Sequence, residues 1–297
     1  MSSVPDSLRG CELRFYQIGD LSIGITSPPY HEAPNLATFR ADACRENDLC
    51  LTVYPDHSLQ APAGFRLSGA GEGRVEDASG RQLRFARQEH SGMILYRRTE
   101  RRPGEIEVDY ERDYLQNLGT SLLLRWLDLP EAFLRRGGLL LHASLIRVRQ
   151  KAILFTAPKQ VGKSTQAELW RLHRGAEVLN GDRALIRRRA ETWFAFSTPY
   201  SGTSGICRRG EAPLAAVVIL RQGPVNTVRK ATRQEAVRAL ISGSAYDVTN
   251  RRAAELVMEY ALQVAQQIPF FLLSCLPDRG AVECLENAII TEGIYGE

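Results

Sequence analysis

Lysine, long apolar runs and paired cysteines are the features that this sequence has least of. Only four of its 38 basic residues are lysine, and all the others are arginine. No run of residues approaches the roughly 18 apolar residues that a membrane-spanning helix needs. Met1–Asp6 has neither the basic start nor the apolar segment of a signal peptide. These absences exclude a helical membrane protein, and we expect a cytoplasmic protein with no membrane partner.

The six cysteines are too dispersed to form a metal-binding motif. None belongs to a CxxC pair, and no histidine stands at a spacing suited to zinc. We therefore expect reduced thiols, without a disulfide framework and without a cysteine-bound metal.

The charge pattern argues against a nucleic-acid partner. The 297 residues carry a net charge of +4, and 44% of them are hydrophobic, which is an ordinary globular composition. The arginines are mixed with Asp and Glu, as at 97–113, and such mixing is typical of a solvated surface. Two of the four lysines nevertheless fall in one short segment, at Lys159 and Lys163.

Hydrophobic patterning divides the chain into two regions. Residues 1–125 are predicted to form a smaller, strand-rich N-terminal region, and residues 126–297 an α/β domain in which strands alternate with helices. In the first region we expect a hairpin at 12–25, strands near 48–54, 82–85 and 93–96, a long loop within 56–80 and a helix over 111–126. In the second we expect strands at 139–148, 152–156, 177–180, 184–189, 192–196, 215–220 and 270–274, and helices after 130, at 163–174, from 232, at 253–264 and after 278.

The strongest motif lies between the second strand and the first long helix of the α/β domain. The segment Ala157-Pro-Lys-Gln-Val-Gly-Lys-Ser164 fits the Walker A pattern, with Ala157 in place of the first glycine. The backbone amides of such a loop cradle phosphates, Lys163 neutralises them, and the Ser164 hydroxyl ligates Mg²⁺. The sequence therefore predicts a site for ATP and Mg²⁺. Its cofactor-binding residues are Ala157, Lys159, Val161, Gly162, Lys163, Ser164 and Thr165.

One carboxylate follows this motif at an unusually short distance. Asp182 comes just beyond the strand 177–180, eighteen positions after Ser164. A carboxylate there can hold Mg²⁺ or accept a proton from an attacking hydroxyl. The alternative interpretation makes Asp182 part of an ordinary Gly-Asp turn.

This arrangement resembles the HPr kinase/phosphorylase family and its relatives with phosphoenolpyruvate carboxykinase-like folds. The resemblance runs from about Leu139 to Ile186 and includes the Walker A segment. It implies a P-loop domain with a mixed sheet, with Asp182 as the catalytic base and His142 as the histidine that precedes the loop. Without the resemblance, a lone histidine on an apolar strand is more often a core residue.

Two departures separate this chain from the family pattern. The family commonly has two consecutive aspartates, whereas Arg183 follows Asp182 here, and the glycine-rich motif with a metal-binding glutamate is replaced by Thr198–Gly205. The pattern is therefore closer to kinase-only relatives, including those that phosphorylate a serine of lasso-peptide precursors. Arg183 is a catalytic candidate that either stabilises the transferring phosphoryl group or forms a structural ion pair. The hydroxyl-rich segment 197–211 either binds phosphate or peptide or is a plain surface loop.

Three functions remain open from the sequence. The first is an ATP-dependent, Mg²⁺-requiring kinase for a serine or threonine hydroxyl of a protein or peptide, which the resemblance allows to form a homo-oligomer. The second is a nucleotide-binding regulatory or assembly protein without phosphotransfer. A carboxykinase acting on oxaloacetate is weaker, because its metal-binding histidine and additional basic motif are not evident.

Overall fold

The computed structural model describes residue 8 and residues 10–43, 48–56, 59, 71–76, 82–87 and 94–294. The chain divides into two units, Met1–Leu129 and Pro130–Glu297, so the boundary lies four residues beyond the expected one. Each unit contains an eight-stranded mixed sheet, which makes the architecture mixed α/β. Among the described helices, none combines the length and the apolar character that a membrane crossing requires.

The first unit is strand-rich, as expected. Its elements are β1 (Glu12–Ile18), β2 (Leu21–Ser27), α1 (Pro34–Ala37), β3 (Arg40–Ala41), β4 (Leu49–Asp56), β5 (Gly71–Glu76), β6 (Gln82–Arg87), β7 (Ile94–Arg102), β8 (Glu105–Glu111), a 3₁₀ helix (Arg112–Asn117) and α2 (Thr120–Leu127). The sheet order is β3-β1-β2-β4-β8-β7-β6-β5. The buried ring of Trp126 in α2 meets the rings of Tyr96 and Tyr110 edge-on, with centroids 5.2 and 5.3 Å apart. Aromatic contacts of this geometry anchor α2 against the sheet.

The first unit departs from the sequence predictions in one helix and one strand. The helix predicted over 111–126 is interrupted at Leu118 and Gly119, whose extended backbone separates the 3₁₀ helix from α2. β8 was not predicted, because every second residue at its start is acidic. Those acids lie on a solvated face, where the Asp109 carboxylate pairs with Arg97 at 2.6 Å. The stretch 56–80, which we expect to contain a long loop, includes β5, and its residues 57, 58, 60–70 and 77–80 lie outside the described residues.

The second unit confirms most of the predicted elements. The elements of this unit are α3 (Leu129–Leu134), which begins at the unit boundary, β9 (Gly138–Val148), β10 (Lys151–Thr156), α4 (Lys163–Arg174), β11 (Glu177–Asn180), β12 (Arg183–Arg189), β13 (Thr192–Ser197), β14 (Glu211–Gln222), β15 (Thr227–Lys230), α5 (Arg233–Gly243), α6 (Arg251–Gln267), β16 (Phe270–Cys275) and α7 (Arg279–Thr291). Thr232 and Asp278 cap α5 and α7, as their spacing predicts. β15 was not predicted.

The second sheet is covered by helices on both faces. Its order is β10-β9-β12-β13-β14-β16-β15, β11 pairs with β9, and β10 also pairs with β14. Apolar residues of α5 and α6 pack on one side, and those of α4 and α7 on the other. β10, β14 and β16 are parallel, so their carboxyl ends lie at one edge of the sheet. The Walker A-like segment begins at that edge.

The cysteines do not form disulfides within the described part of the chain. The five described cysteines are thiols outside any disulfide, namely Cys11, Cys50, Cys207, Cys275 and Cys284. Cys44 lies outside the described residues. Burial raises the pKa of the Cys207 thiol to about 11, so this sulfur is protonated at neutral pH.

Candidate functional site

The segment between β10 and α4 is a tight loop with two left-handed residues. Gln160 has a φ of 65° and Gly162 a φ of 117°. A Cβ atom at Gly162 would meet nothing within 4 Å, so the glycine is needed there for its backbone conformation alone. Gly162 is also the N-cap of α4 and provides no side-chain cap. The amides in the first turn of α4 therefore have the orientation and partial charge that attract an anion.

Lys163 is buried in this loop although it carries a charge. Its side chain folds back, and Nζ donates hydrogen bonds of 3.0 Å to the carbonyl oxygens of Ala157 and Pro158. Only 8% of the residue is exposed. Burial lowers the pKa of the ammonium, and attraction to Asp182 opposes that shift. The loop thus holds a poorly hydrated cation with two neutral partners, which is a suitable arrangement for receiving an anion.

The remaining predicted cofactor-binding residues differ in their exposure to solvent. Ala157 and Val161 are half-buried and pack against the core beneath α4. Lys159, Ser164 and Thr165 are exposed. Among the described residues, no hydrogen bond joins the Ser164 or Thr165 hydroxyl to Asp182.

β9 lies between this loop and Asp182 and brings them together. On one side of β9, Ala143 pairs with Thr156, the last residue of β10, and the Thr156 hydroxyl donates to the carbonyl of His142 at 3.1 Å. On the other side, the Ala143 amide donates to the Asp182 carbonyl at 3.0 Å. Two strand spacings separate Thr156 from Asp182, or about 10 Å. Residues that are 26 positions apart are therefore neighbours across one strand.

Asp182 lies where the pairing with β9 is interrupted between β11 and β12. The buried side chain of Asn180 organises this turn: its Oδ1 accepts hydrogen bonds from the amides of Asp182 (2.8 Å) and Arg183 (2.9 Å). Its Nδ2 donates to the Thr198 carbonyl at 2.8 Å and to the Ser197 hydroxyl at 3.4 Å. Asn180 was not predicted as a site residue. Its place two residues before Asp182 is the signal of an Asx turn.

His142 and Arg183 both interact with the Asp182 side chain. His142 Nδ1 lies 3.0 Å from the Asp182 carbonyl oxygen and 3.3 Å from Oδ1. Both oxygens can only accept, so Nδ1 carries the hydrogen. Arg183 Nε lies 3.7 Å from Oδ2, and its guanidinium lies over the ring of Tyr200, with Cζ 5.3 Å from the centroid. The position of Arg183 fits both roles considered for it.

The electrostatics keep the Asp182 carboxylate ionised. The hydrogen bond from His142 is the largest influence and lowers the pKa of Asp182, burial partly opposes it, and the charges of Arg183 and Lys163 lower it further. The side chain remains 24% exposed. An ionised carboxylate that a solute can reach is able to accept a proton or to bind a cation.

The segment after β13 returns over Asp182. A Cβ atom at Gly202 would lie 2.8 Å from the Cβ, Cγ and Oδ1 atoms of Asp182, and one at Gly181 would collide with the Ser204 hydroxyl. The Gly181 amide donates to the Ile206 carbonyl at 3.2 Å, and the Arg208 amide to the Leu179 carbonyl at 2.8 Å. Backbone hydrogen bonds to Leu179 of β11 and to Gly181 therefore hold this segment in place. The sequence alone allowed it to be a plain surface loop.

The donor set agrees with the predicted magnesium site in its chemistry. Mg²⁺ in nucleotide sites is usually held by one or two protein oxygens together with substrate phosphates. Ser164 and Asp182 supply a hydroxyl and a carboxylate of that kind. The described residues contain no group of three or more His, Cys, Asp and Glu side chains that could hold a metal ion without a substrate.

Comparison with known proteins finds one family model and solved structures that are similar to this chain. The family model described as SynChlorMet cassette protein ScmC matches residues 128–277, half of the chain. A solved structure, the HPr(Ser) kinase/phosphatase from Coxiella burnetii, is 12% identical and covers 52% of this chain and 88% of its own, with a TM-score of 0.30. None of the curated proteins matches.

Proposed function

This chain belongs to the family of SynChlorMet cassette protein ScmC, and for its second unit we propose an ATP-dependent kinase activity. The acceptor in this proposal is a serine or threonine hydroxyl of a protein or peptide. The observation that carries the proposal is the electrostatic interaction between Lys163 and Asp182, which follow β10 and precede β12, the two strands that flank β9. A kinase needs both a phosphate cradle and a proton acceptor, whereas a nucleotide-binding module needs only the cradle.

In this proposal the loop binds and orients the triphosphate. The amides at the start of α4 face its phosphate oxygens, and Lys163 exchanges the carbonyl oxygens of Ala157 and Pro158 for these anions. Since the ammonium is already poorly hydrated, it loses little solvation when it binds phosphate. Ser164 and Asp182 would hold Mg²⁺, which supplies charge neutralisation at the phosphates when it is bound.

Asp182 accepts the proton of the acceptor hydroxyl. The acceptor oxygen forms a bond to the γ-phosphorus, the bond from that phosphorus to the bridging oxygen breaks, and ADP leaves. The low pKa of Asp182 makes it a weak base. This suits a loose transition state, in which the hydroxyl proton is lost late and the carboxylate mainly orients the nucleophile. His142 fixes the orientation of that carboxylate.

The test is transfer of label from γ-³²P-ATP with Mg²⁺ to a peptide library that has a serine or threonine at one fixed position. We expect labelled peptide with the wild-type chain and a loss of about 100-fold or more in Asp182→Asn, as for removal of a central catalytic group. Glu191→Gln is the control, because Glu191 is an exposed acid in the turn between β12 and β13. ATP binding with neither transfer nor hydrolysis would contradict the kinase and favour the regulatory protein.

A further inference from the structure

The segment that returns over Asp182 carries its own serine and threonine hydroxyls. We propose that the chain phosphorylates itself within this segment, at Ser201 and Thr203, the two residues that flank Gly202. The proposal rests on the proposed kinase function and adds to it a modification site and an intramolecular acceptor.

Gly202 fixes the distance between this segment and the catalytic carboxylate. Its backbone lies so close to Asp182 that an added Cβ would be 2.8 Å from Oδ1. Its φ of 53° places it in the left-handed region, which glycine adopts at little cost. Ser201 and Thr203 are its immediate neighbours, so each hydroxyl is carried by a residue adjacent to the one that contacts Asp182.

The side-chain hydroxyls of this segment differ in whether they already form hydrogen bonds. The buried Thr198 donates to the Arg183 carbonyl at 2.7 Å, and Ser204 donates to the Ser201 carbonyl at 2.9 Å. Among the described residues, no hydrogen bond engages the side-chain hydroxyl of Ser201 or of Thr203. Thr203 is exposed and Ser201 half-buried. Two hydroxyls without a hydrogen bond in the described structure are therefore carried by the residues next to the one that contacts Asp182, while the hydroxyls of Thr198 and Ser204 bond to the backbone.

The transfer balances with ATP as the phosphoryl donor. The hydroxyl oxygen of Ser201 or Thr203 bonds to the γ-phosphorus, the bond to the β,γ-bridging oxygen breaks, ADP leaves, and the proton passes to Asp182. The product phosphate carries a charge of about −1.5 to −2 beside the Asp182 carboxylate. This negative charge repels the triphosphate of the next ATP, so self-phosphorylation slows transfer to a peptide.

The experiment incubates the full chain with Mg²⁺ and ATP alone and measures intact mass and the phosphorylated positions. We expect phosphate at Ser201 or Thr203, with a first-order rate that does not depend on protein concentration. In the double variant Ser201→Ala and Thr203→Val the incorporation should fall about tenfold or more. The matched control is Ser242→Ala and Thr227→Val, which removes two hydroxyls that are exposed elsewhere in the same unit.

Each outcome bears on the proposal. Phosphate only at other positions, or a rate that rises with protein concentration, overturns it. Absence of phosphate on a chain that still labels the peptide library overturns self-phosphorylation and leaves the kinase standing, whereas absence of both labels contradicts both proposals. Mapping on the wild-type chain decides the matter even if the double variant fails to fold. Loss of the label in Asp182→Asn connects the modification to this site.

Discussion

The amide oxygen of Asn180 accepts a hydrogen bond of 2.8 Å from the backbone N–H of Asp182. Asn180 is fully buried and uses its amide group for four hydrogen bonds, two to the turn that carries Asp182 and two to Ser197 and Thr198. One side chain therefore joins the turn before β12 to the start of the segment that returns over it. The position of the proposed base depends on a residue that touches no substrate.

Asn180→Ala should weaken both stability and transfer. Four hydrogen bonds are lost at about 1 kcal/mol each, so we expect the free energy of unfolding to fall by about 2–4 kcal/mol. The control is Asn250→Ala, which removes only the N-cap bond of α6 to Ala253 and should cost about 1 kcal/mol. Urea unfolding and peptide phosphorylation measure the two effects. Equal activity in the two variants would contradict a positioning role for Asn180.

Lys163→Met should weaken nucleotide binding without lowering the stability of the protein. The variant removes a desolvated cation, so the free energy of unfolding without nucleotide should stay level or rise. ATP binding and transfer should fall, transfer by about 100-fold, because the charge that faces the phosphates is lost. Lys151→Met is the control: Lys151 is exposed at the opposite end of β10. Binding of a fluorescent ATP analogue and thermal unfolding test this pair, and unchanged binding in Lys163→Met would be inconsistent with the proposed phosphate cradle.

The fold of the second unit was largely predictable because its signals are local. The capping-box spacing at Thr232 and the cap at Asp278 mark helix starts, and the apolar spacing of 253–264 marks the buried side of α6. β15 was missed because only one of its four residues, Val228, is apolar. Its place at the sheet edge needs no continuous apolar pattern.

The candidate site was predictable in its residue types and not in its arrangement. The Walker A-like segment and Asp182 can be recognised from their spacing alone. Their proximity depends on β9 lying between β10 and β12, and the local sequence does not determine the order of strands in a sheet. The contact of Gly202 with Asp182 depends on the path of a loop that returns after two strands. Contacts between residues that are far apart in the sequence produce no periodic pattern from which they could be predicted.

His142→Phe should change the pH dependence of the proposed reaction. His142 donates to Asp182 and is the largest influence that lowers the pKa of that carboxyl. Without the donor, burial becomes the largest single influence and the pKa of Asp182 rises, so the acid limb of the rate profile moves to higher pH. His142→Asn keeps an N–H donor and should shift the limb less, and His173→Phe changes an exposed histidine late in α4 and should not shift it. Identical acid limbs in all four proteins would rule out this role.

His142→Phe should also change how the stability of the protein depends on pH. A carboxyl whose pKa is depressed in the folded state stabilises the protein above its unfolded pKa of about 4, and that contribution is lost as the pH falls through the folded value. The stability difference between wild type and His142→Phe should therefore be greatest at neutral pH and should shrink below about pH 4. Thermal unfolding midpoints across that range measure it. A difference that grows on acidification would have the opposite sign to the one expected here.

Gly202→Ala and Gly205→Ala form a matched pair that tests the contact above Asp182. Both glycines have a positive φ, 53° and 65°, so each alanine should cost about 1 kcal/mol of stability through backbone strain. Only at Gly202 does the new methyl group meet Asp182, because a Cβ at Gly205 has nothing within 4 Å. We therefore expect Gly202→Ala to unfold at a lower temperature than Gly205→Ala, because only the first adds a steric contact to the backbone strain, and we expect peptide phosphorylation to be reduced in Gly202→Ala alone. If the two variants lost activity equally, the cause would be loop strain in general, and the return of this segment over the base would have no role in transfer.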